Sequence, residues 1–244
     1  MDSLETLLAA HRAYLLGWNI GAAGDANLVT YRSDVQHAPL NGVLRLAGRS
    51  PREAFEDARE RLDGVPRIWW AGPDSDPETP IHLLALGAVP IARMPIMTTA
   101  VGDVAPEKPP AGFRVTEATD IEEFVSAYGK VSGIPSDAMA AAIDREKAFS
   151  ADGTVVRLAG RFEDGRIAGT AVAWFSHGLL TLYFVGTQPD HRRRGVGTAM
   201  TLAAIDLARE RGIETAALTS TAMAQQLYRR IGFRTVSSFH LMSF

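Results

Sequence analysis

The stretch that most constrains this chain runs from Leu179 to Gly212, LLTLYFVGTQPDHRRRGVGTAMTLAAIDLARERG. Leu180, Leu182, Phe184 and Val185 are strand formers, and Pro189-Asp190 ends the strand. Gly195 and Gly197 then open a segment in which Val196, Met200, Ala203 and Leu207 recur at helical spacing, and Gly212 stops it. A strand running through a basic, glycine-paired turn into a helix places unpaired N–H groups and a partial positive charge at the turn. Phosphate oxygens bind at such a helix start, and glycine lets them approach the backbone. Arg192, Arg193 and Arg194 add charge there, so the segment from Arg192 to Thr198 is a candidate pyrophosphate cradle. The same residues also suit a solvated basic corner that caps an ordinary helix.

Two nucleotide motifs are excluded. A phosphate-binding loop of the Walker type ends in Gly-Lys-Ser/Thr, which is absent. A dinucleotide fingerprint needs a small residue three positions after Gly197, where Met200 stands. A nucleic-acid surface is disfavoured by the formal net charge of -3. The stretch resembles the pyrophosphate motif of the GNAT acyltransferase superfamily, Gln/Arg-x-x-Gly-x-Gly/Ala. Here it reads Arg192-Arg193-Arg194-Gly195-Val196-Gly197, preceded by Val185-Gly186-Thr187.

The rest of the chain supports a mixed α/β fold. The sequence has 244 residues, 46% of them hydrophobic, enough for one large domain or two small ones. It has no cysteine, which excludes disulfides, thiolate metal sites and a thiol nucleophile. The first residues are acidic where a signal peptide is basic, and the apolar run 81–97 is broken by His82, Pro90, Arg93 and Pro95. A soluble, cytoplasmic protein with no membrane contact is expected. Leu4, Leu7, Leu8 and Leu15 lie at helical spacing, with His11 on the same stripe as a helix-face histidine. Strands are expected at 27–32, 42–46 and 67–71, with Trp69 facing the core and Trp70 the surface. Helices are expected at 51–62, capped by Ser50, and at 81–86, before an extended segment at 89–98.

Asp103 to Gly112, with three prolines, reads as a stiff linker. The expected division is therefore 1–105 and 106–244. After it come a strand at 113–117, a helix from Asp120 capped by Thr119, and a helix capped by Ser136. A hairpin of strands at 154–160 and 167–175 follows, then the central stretch. A strand at 215–220, a helix at 221–231 and an extended end complete the chain. This order is similar to that of a complete GNAT domain. The family's last block, Leu-Tyr shortly before Gly-Phe, is present as Leu227-Tyr228 and Gly232-Phe233. The pattern at 51–89 echoes that at 197–234 without the paired glycines and arginines, which suggests a degenerate GNAT-like first half lacking a cofactor site.

The resemblance implies an N-acetyltransferase using acetyl-CoA, without a metal, on a small-molecule or peptide amine by direct attack. A binding protein that holds acetyl-CoA as a sensor or scaffold is the alternative. The resemblance also implies that the central strand splays from its neighbour, freeing backbone groups of Val185, Gly186 and Thr187 for the pantetheine arm and the acyl carbonyl. It makes Tyr228 the general acid, although its helical spacing with Ala224, Leu227 and Ile231 equally suits a core aromatic. Many family members carry a glutamate base on the central strand, but Leu179 to Thr187 contains no carboxylate. His177, in the preceding turn, is the candidate base from the sequence; an exposed turn histidine, with water or a residue of the first half as base, is the other reading. Thr221 stands where an asparagine often opens the last helix. Glu122, Glu123 and Asp137 could recognise a cationic substrate or simply solvate a helix surface. The acceptor and the choice between monomer and homodimer stay open.

Overall fold

A computed structural model describes residues 3–244. The first half contains α1 (Leu4–Leu16), β1 (Leu28–Arg32), β2 (Asn41–Leu46), α2 (Pro51–Arg61), β3 (Ile68–Ala71), α3 (Thr79–Ala85) and β4 (Val89–Ala100). The second half contains β5 (Arg114–Glu117), α4 (Ile121–Ser132), α5 (Met139–Lys147), β6 (Thr154–Arg161), β7 (Ile167–Ser176) and β8 (Leu179–Thr187). It ends with α6 (Val196–Glu210), β9 (Thr215–Thr219), α7 (Gln225–Ile231) and β10 (Arg234–Ser243). The expected order of elements is therefore present in both halves.

All the strands join one ten-stranded sheet in the order β1-β2-β3-β10-β4-β9-β8-β7-β6-β5. Its middle is symmetric. β2 and β3 are parallel, as are β9 and β8, and the pairings between them through β10 and β4 are antiparallel. The units β2-α2-β3-α3-β4 and β8-α6-β9-α7-β10 thus repeat one layout. Each unit places its last strand in the other's half: β4 bonds to β9, and β10 bonds to β3.

Helices cover both faces of the sheet. Tyr14 and Trp18 of the α1 region pack with Phe124 and Tyr128 of α4 on one side. Val196, Met200, Ala204 and Ile205 of α6 pack with Leu180, Leu182 and Phe233 on the other. The buried stripe of α6 passes through Ala204 and Ala208, leaving Ala203 and Leu207 only partly covered. Trp69 and Trp70 are both buried, against the expectation of one surface residue, because β3 has a core on each face. Trp69 meets Phe55 of α2, and Trp70 meets Phe239 and donates to the Tyr31 hydroxyl at 2.9 Å.

Several ends differ from expectation. Asp120, not Thr119, caps α4, its carboxylate accepting from the Glu123 N–H at 2.9 Å. Ser50 makes no capping bond; Pro51 begins α2 directly. Ser136 opens a 3-10 turn, and the helix proper starts at Met139. Residues 221–224 form a turn, so α7 starts at Gln225. The proline-rich segment is pinned: Val104 is buried, and Arg209 of α6 donates to the carbonyls of Val101 and Val104.

Candidate active site

β8 and β9 are bridged only from Leu180–Ala216 to Leu182–Leu218. Beyond that point they part. β8 bulges away: Tyr183 lies opposite Val172 but Gly186 lies opposite Thr170, and Phe184 takes a φ of 45°. The Thr170 hydroxyl donates to the Phe184 carbonyl at 2.9 Å, fixing the bulge. β9 instead stays with β4, its continuation held by the Ser220 N–H to the Pro95 carbonyl at 3.0 Å. The result is a V-shaped gap edged by the β8 backbone from Tyr183 to Thr187.

The cradle stands at the open end of this gap. A 3-10 turn, Pro189–His191, is followed by two left-handed residues, Arg193 (φ 60°) and Gly195 (φ 78°), and α6 begins at Val196. The first helical bond runs from the Ala199 N–H to the Gly195 carbonyl at 3.0 Å. Among the described residues, the backbone N–H groups from Arg193 through Thr198 have no acceptor. A run of free N–H groups at a helix start is a site built for an anion. Gly197 sits deep in it: a Cβ there would lie 3.1 Å from Leu227 Cδ1 of α7 and 3.7 Å from Thr187 Oγ1. Arg192 and Arg193 are exposed and form no ion pair among the described residues. Arg194 turns aside, its guanidinium 4.1 Å over the Phe162 ring and 3.1 Å from His191 Nδ1.

Tyr228 packs as the core aromatic that its helical spacing suggests. Its ring is buried and packs edge-on against Phe233 at 5.8 Å, and among the described residues its hydroxyl makes no hydrogen bond. Burial pushes its pKa up to about 12, so it is protonated at neutral pH. Thr221 is exposed and joins the turn before α7 through its carbonyl. His177 is not brought to the gap. It occupies the β7–β8 hairpin with a φ of 54°, exposed and bonded to the Ser176 hydroxyl at 2.6 Å. Roughly 30 Å of extended strand, at about 3.3 Å per residue, separates it from Thr187. Glu122 and Glu123 are engaged in exposed ion pairs with Lys147 and Arg161, and Asp137 is exposed in its turn.

Two groups near the gap escaped sequence reasoning. His11 of α1 approaches the Tyr183 hydroxyl of β8, Nδ1 to Oη, at 3.2 Å. Glu146 of α5 is buried between Arg157 and Tyr128, whose ring stacks on Phe184 at 4.3 Å. Both depend on contacts distant in sequence, and only the place of His11 on an apolar stripe hinted at either.

The first half carries the same gap in filled form. β2 and β3 are bridged only at Gly42–Ile68 and Val43–Trp69. Beyond them the loop after β3 folds in: the Leu46 N–H donates to the Ser75 hydroxyl at 3.2 Å, and the Asp76 N–H to the Leu46 carbonyl at 2.8 Å. The Asp76 carboxylate accepts from the Gly48 N–H at 2.9 Å, so a side-chain anion stands just before α2.

The sequence model of the Acetyltransferase (GNAT) family matches residues 122–233. A mycothiol acetyltransferase of Clavibacter michiganensis subsp. michiganensis is 38% identical over 80 residues, 32% of this chain and 26% of that protein. The chain thus aligns with about a quarter of the length of the curated relatives it matches. Among solved structures, a GCN5-related N-acetyltransferase from Kribbella flavida superposes with a TM-score of 0.72 at 23% identity, over 100% of this chain and 96% of that one. A tandem GNAT protein from the clavulanic acid biosynthesis pathway superposes with a TM-score of 0.63 at 13% identity, over 98% and 94%.

Proposed function

Residues 122–233 form a GNAT-family domain, and from that premise we propose that the protein transfers an acetyl group from acetyl-CoA to an amine of a small molecule or peptide. The observation that carries this reading is the run of unpartnered N–H groups from Arg193 to Thr198 at the mouth of the β8–β9 gap. That run holds the pyrophosphate, with Arg192 and Arg193 adding charge and Arg194 flanking it. The free β8 edge at Val185, Gly186 and Thr187 takes the pantetheine arm, leading the thioester toward the apex at Leu182–Leu218. Backbone donors at the bulge face the thioester oxygen, where a preorganised donor contributes about 3 kcal/mol to the transition state. Tyr228, kept protonated by burial, delivers a proton to the departing thiolate.

The catalytic unit in this proposal is 106–244. The 1–105 segment is a degenerate repeat whose own gap is closed by Ser75 and Asp76. Calorimetric titration with acetyl-CoA should therefore give one site per chain, and CoA release with a panel of amines should follow. Two sites would refute the closed first half. The missing β8 carboxylate favours a second reading, an acetyl-CoA sensor. Binding without CoA release from any amine selects that reading, and no binding at millimolar ligand refutes both.

A further inference from the structure

An amine attacking a thioester must shed a proton, and in the acetyl-transfer reading, on which this inference rests, β8 offers no carboxylate to take it. What β8 does place beside the apex of the gap is Tyr183, the first residue past its last bridge to β9 and only half-buried. Among the described residues, its hydroxyl bonds only to His11 Nδ1, at 3.2 Å. The pair is held firmly. Tyr14, on the same helix as His11, stacks on the Tyr183 ring at 3.6 Å with the planes 9° apart. The imidazole lies 5.1 Å from Trp70 and 4.8 Å from Phe239.

The far side of the ring is unfinished. Among the described residues, His11 Nε2 is buried without a partner, and so is Thr181 Oγ1, two residues before Tyr183 and on the same face of β8. Both side chains line one cavity beneath α1, which extends along β9 to Thr219, next to the apex of the gap. Its free volume of ≈ 10 Å³ is on the order of what one water needs. Two orphaned polar atoms facing one small cavity are what a buried water satisfies. The charged groups nearby are Arg12, adjacent on α1, and its ion-pair partner Asp74. Burial first, and Arg12 second, push the His11 pKa down to about 3, so the ring is neutral and carries one proton.

We propose that His11, supplied by the first half, relays protons for Tyr183. The Tyr183 hydroxyl takes the proton of the attacking amine as it passes its own to Nδ1, and Nε2 passes its proton to a water held against Thr181. Each relay group gains one proton and loses one, so the buried ring is never charged. The C–N bond forms as the C–S bond breaks, Tyr228 protonates the thiolate, and the proton received by the cavity water is released to solvent as an equivalent proton from solvent restores Tyr228. Exchange with water then restores the starting tautomer.

The test compares His11→Phe and Tyr183→Phe with wild type, using acetyl-CoA and the amine that supports transfer. Phenylalanine fills the imidazole's space, so the fold is kept. In each variant kcat should fall by about tenfold or more while KM for acetyl-CoA stays within about twofold, because general acid–base groups act on the chemical step. The double variant should lose no more than the worse single one. In wild type, ¹⁵N spectra should show a neutral His11 imidazole down to pH 5 with an Nε2 proton that exchanges with water. Wild-type kcat in either variant, or an imidazole that titrates near neutrality, overturns the relay alone. A wild type that transfers to no amine overturns the acetyl-transfer reading and the relay with it.

Discussion

Replacing Arg157 with methionine should expose how the bulge beside the gap is braced. Glu146 is 2% exposed. Its carboxylate accepts from Arg157 Nε at 2.5 Å and from the Tyr128 hydroxyl at 3.0 Å. Arg157 also donates to the Glu146 carbonyl at 3.3 Å. Tyr128 in turn stacks on Phe184, the bulge residue with positive φ. Removing the guanidinium strands a carboxylate in the core, which costs about 3–5 kcal/mol. For a chain of this size, at about 2–4 °C per kcal/mol, Tm should fall by roughly 6–20 °C. Arg157→Met combined with Glu146→Gln should recover most of the loss, because the buried charge goes with its partner. Burial already raises the Glu146 pKa, with Arg157 pulling against it, so the single variant raises it further. A carboxyl whose folded pKa exceeds its unfolded value binds more protons when folded. Stability then falls as pH rises from the unfolded to the folded pKa. The single variant should therefore regain stability relative to wild type between pH 7.5 and pH 5.5. Thermal unfolding followed by circular dichroism at both pH values reads this. A single variant as stable as the double, or a deficit unchanged by pH, would refute the reasoning.

Gly197→Glu should uncouple binding from stability. The carboxylate would occupy the free N–H groups and weaken acetyl-CoA binding by roughly a hundredfold or more, while its charge at a helix start is favourable and leaves Tm within a few degrees; titration calorimetry and a melt on one sample check both. Tyr228→Phe keeps the packing on Phe233 and should lower kcat by about 10²–10⁴-fold with acetyl-CoA affinity retained. Because its pKa is pushed up to about 12, Tyr228 should add no limb to the pH–rate profile through pH 10, and a tyrosine-dependent limb near neutrality would contradict its role as acid.

Local chemistry made much of this structure legible. The paired glycines and arginines before an apolar periodic run placed the α6 start correctly, because N–H groups, charge and glycine freedom all belong to one short segment. The repeat was visible because stop signals such as Gly64, Gly87, Gly212 and Gly232, all with positive φ, punctuate both halves alike. What escaped was set by tertiary pairing. Trp70 is buried because a second core covers its face of β3. His177 adjoins the central strand in sequence, yet the strand's own length carries it to the wrong end. His11 and Tyr183 meet only because α1 crosses β8, a contact across 172 positions that no spacing reveals.

The exchange of β4 and β10 ties the two halves into one sheet. β9 has two neighbours, parallel β8 and antiparallel β4, and β4 comes from the first half. Splaying β8 from β9 requires that β9 be held on its other side, or the two strands would zip further along their free edges. β4 supplies that hold from Ile96–Thr219 to Ala100–Thr215, and the Ser220–Pro95 bond extends it past the strand end. β10 repays the arrangement by bonding to β3, so neither half completes its sheet alone. β4 is the first half's contribution to the other half, bonded along β9 at the edge of the neighbouring gap.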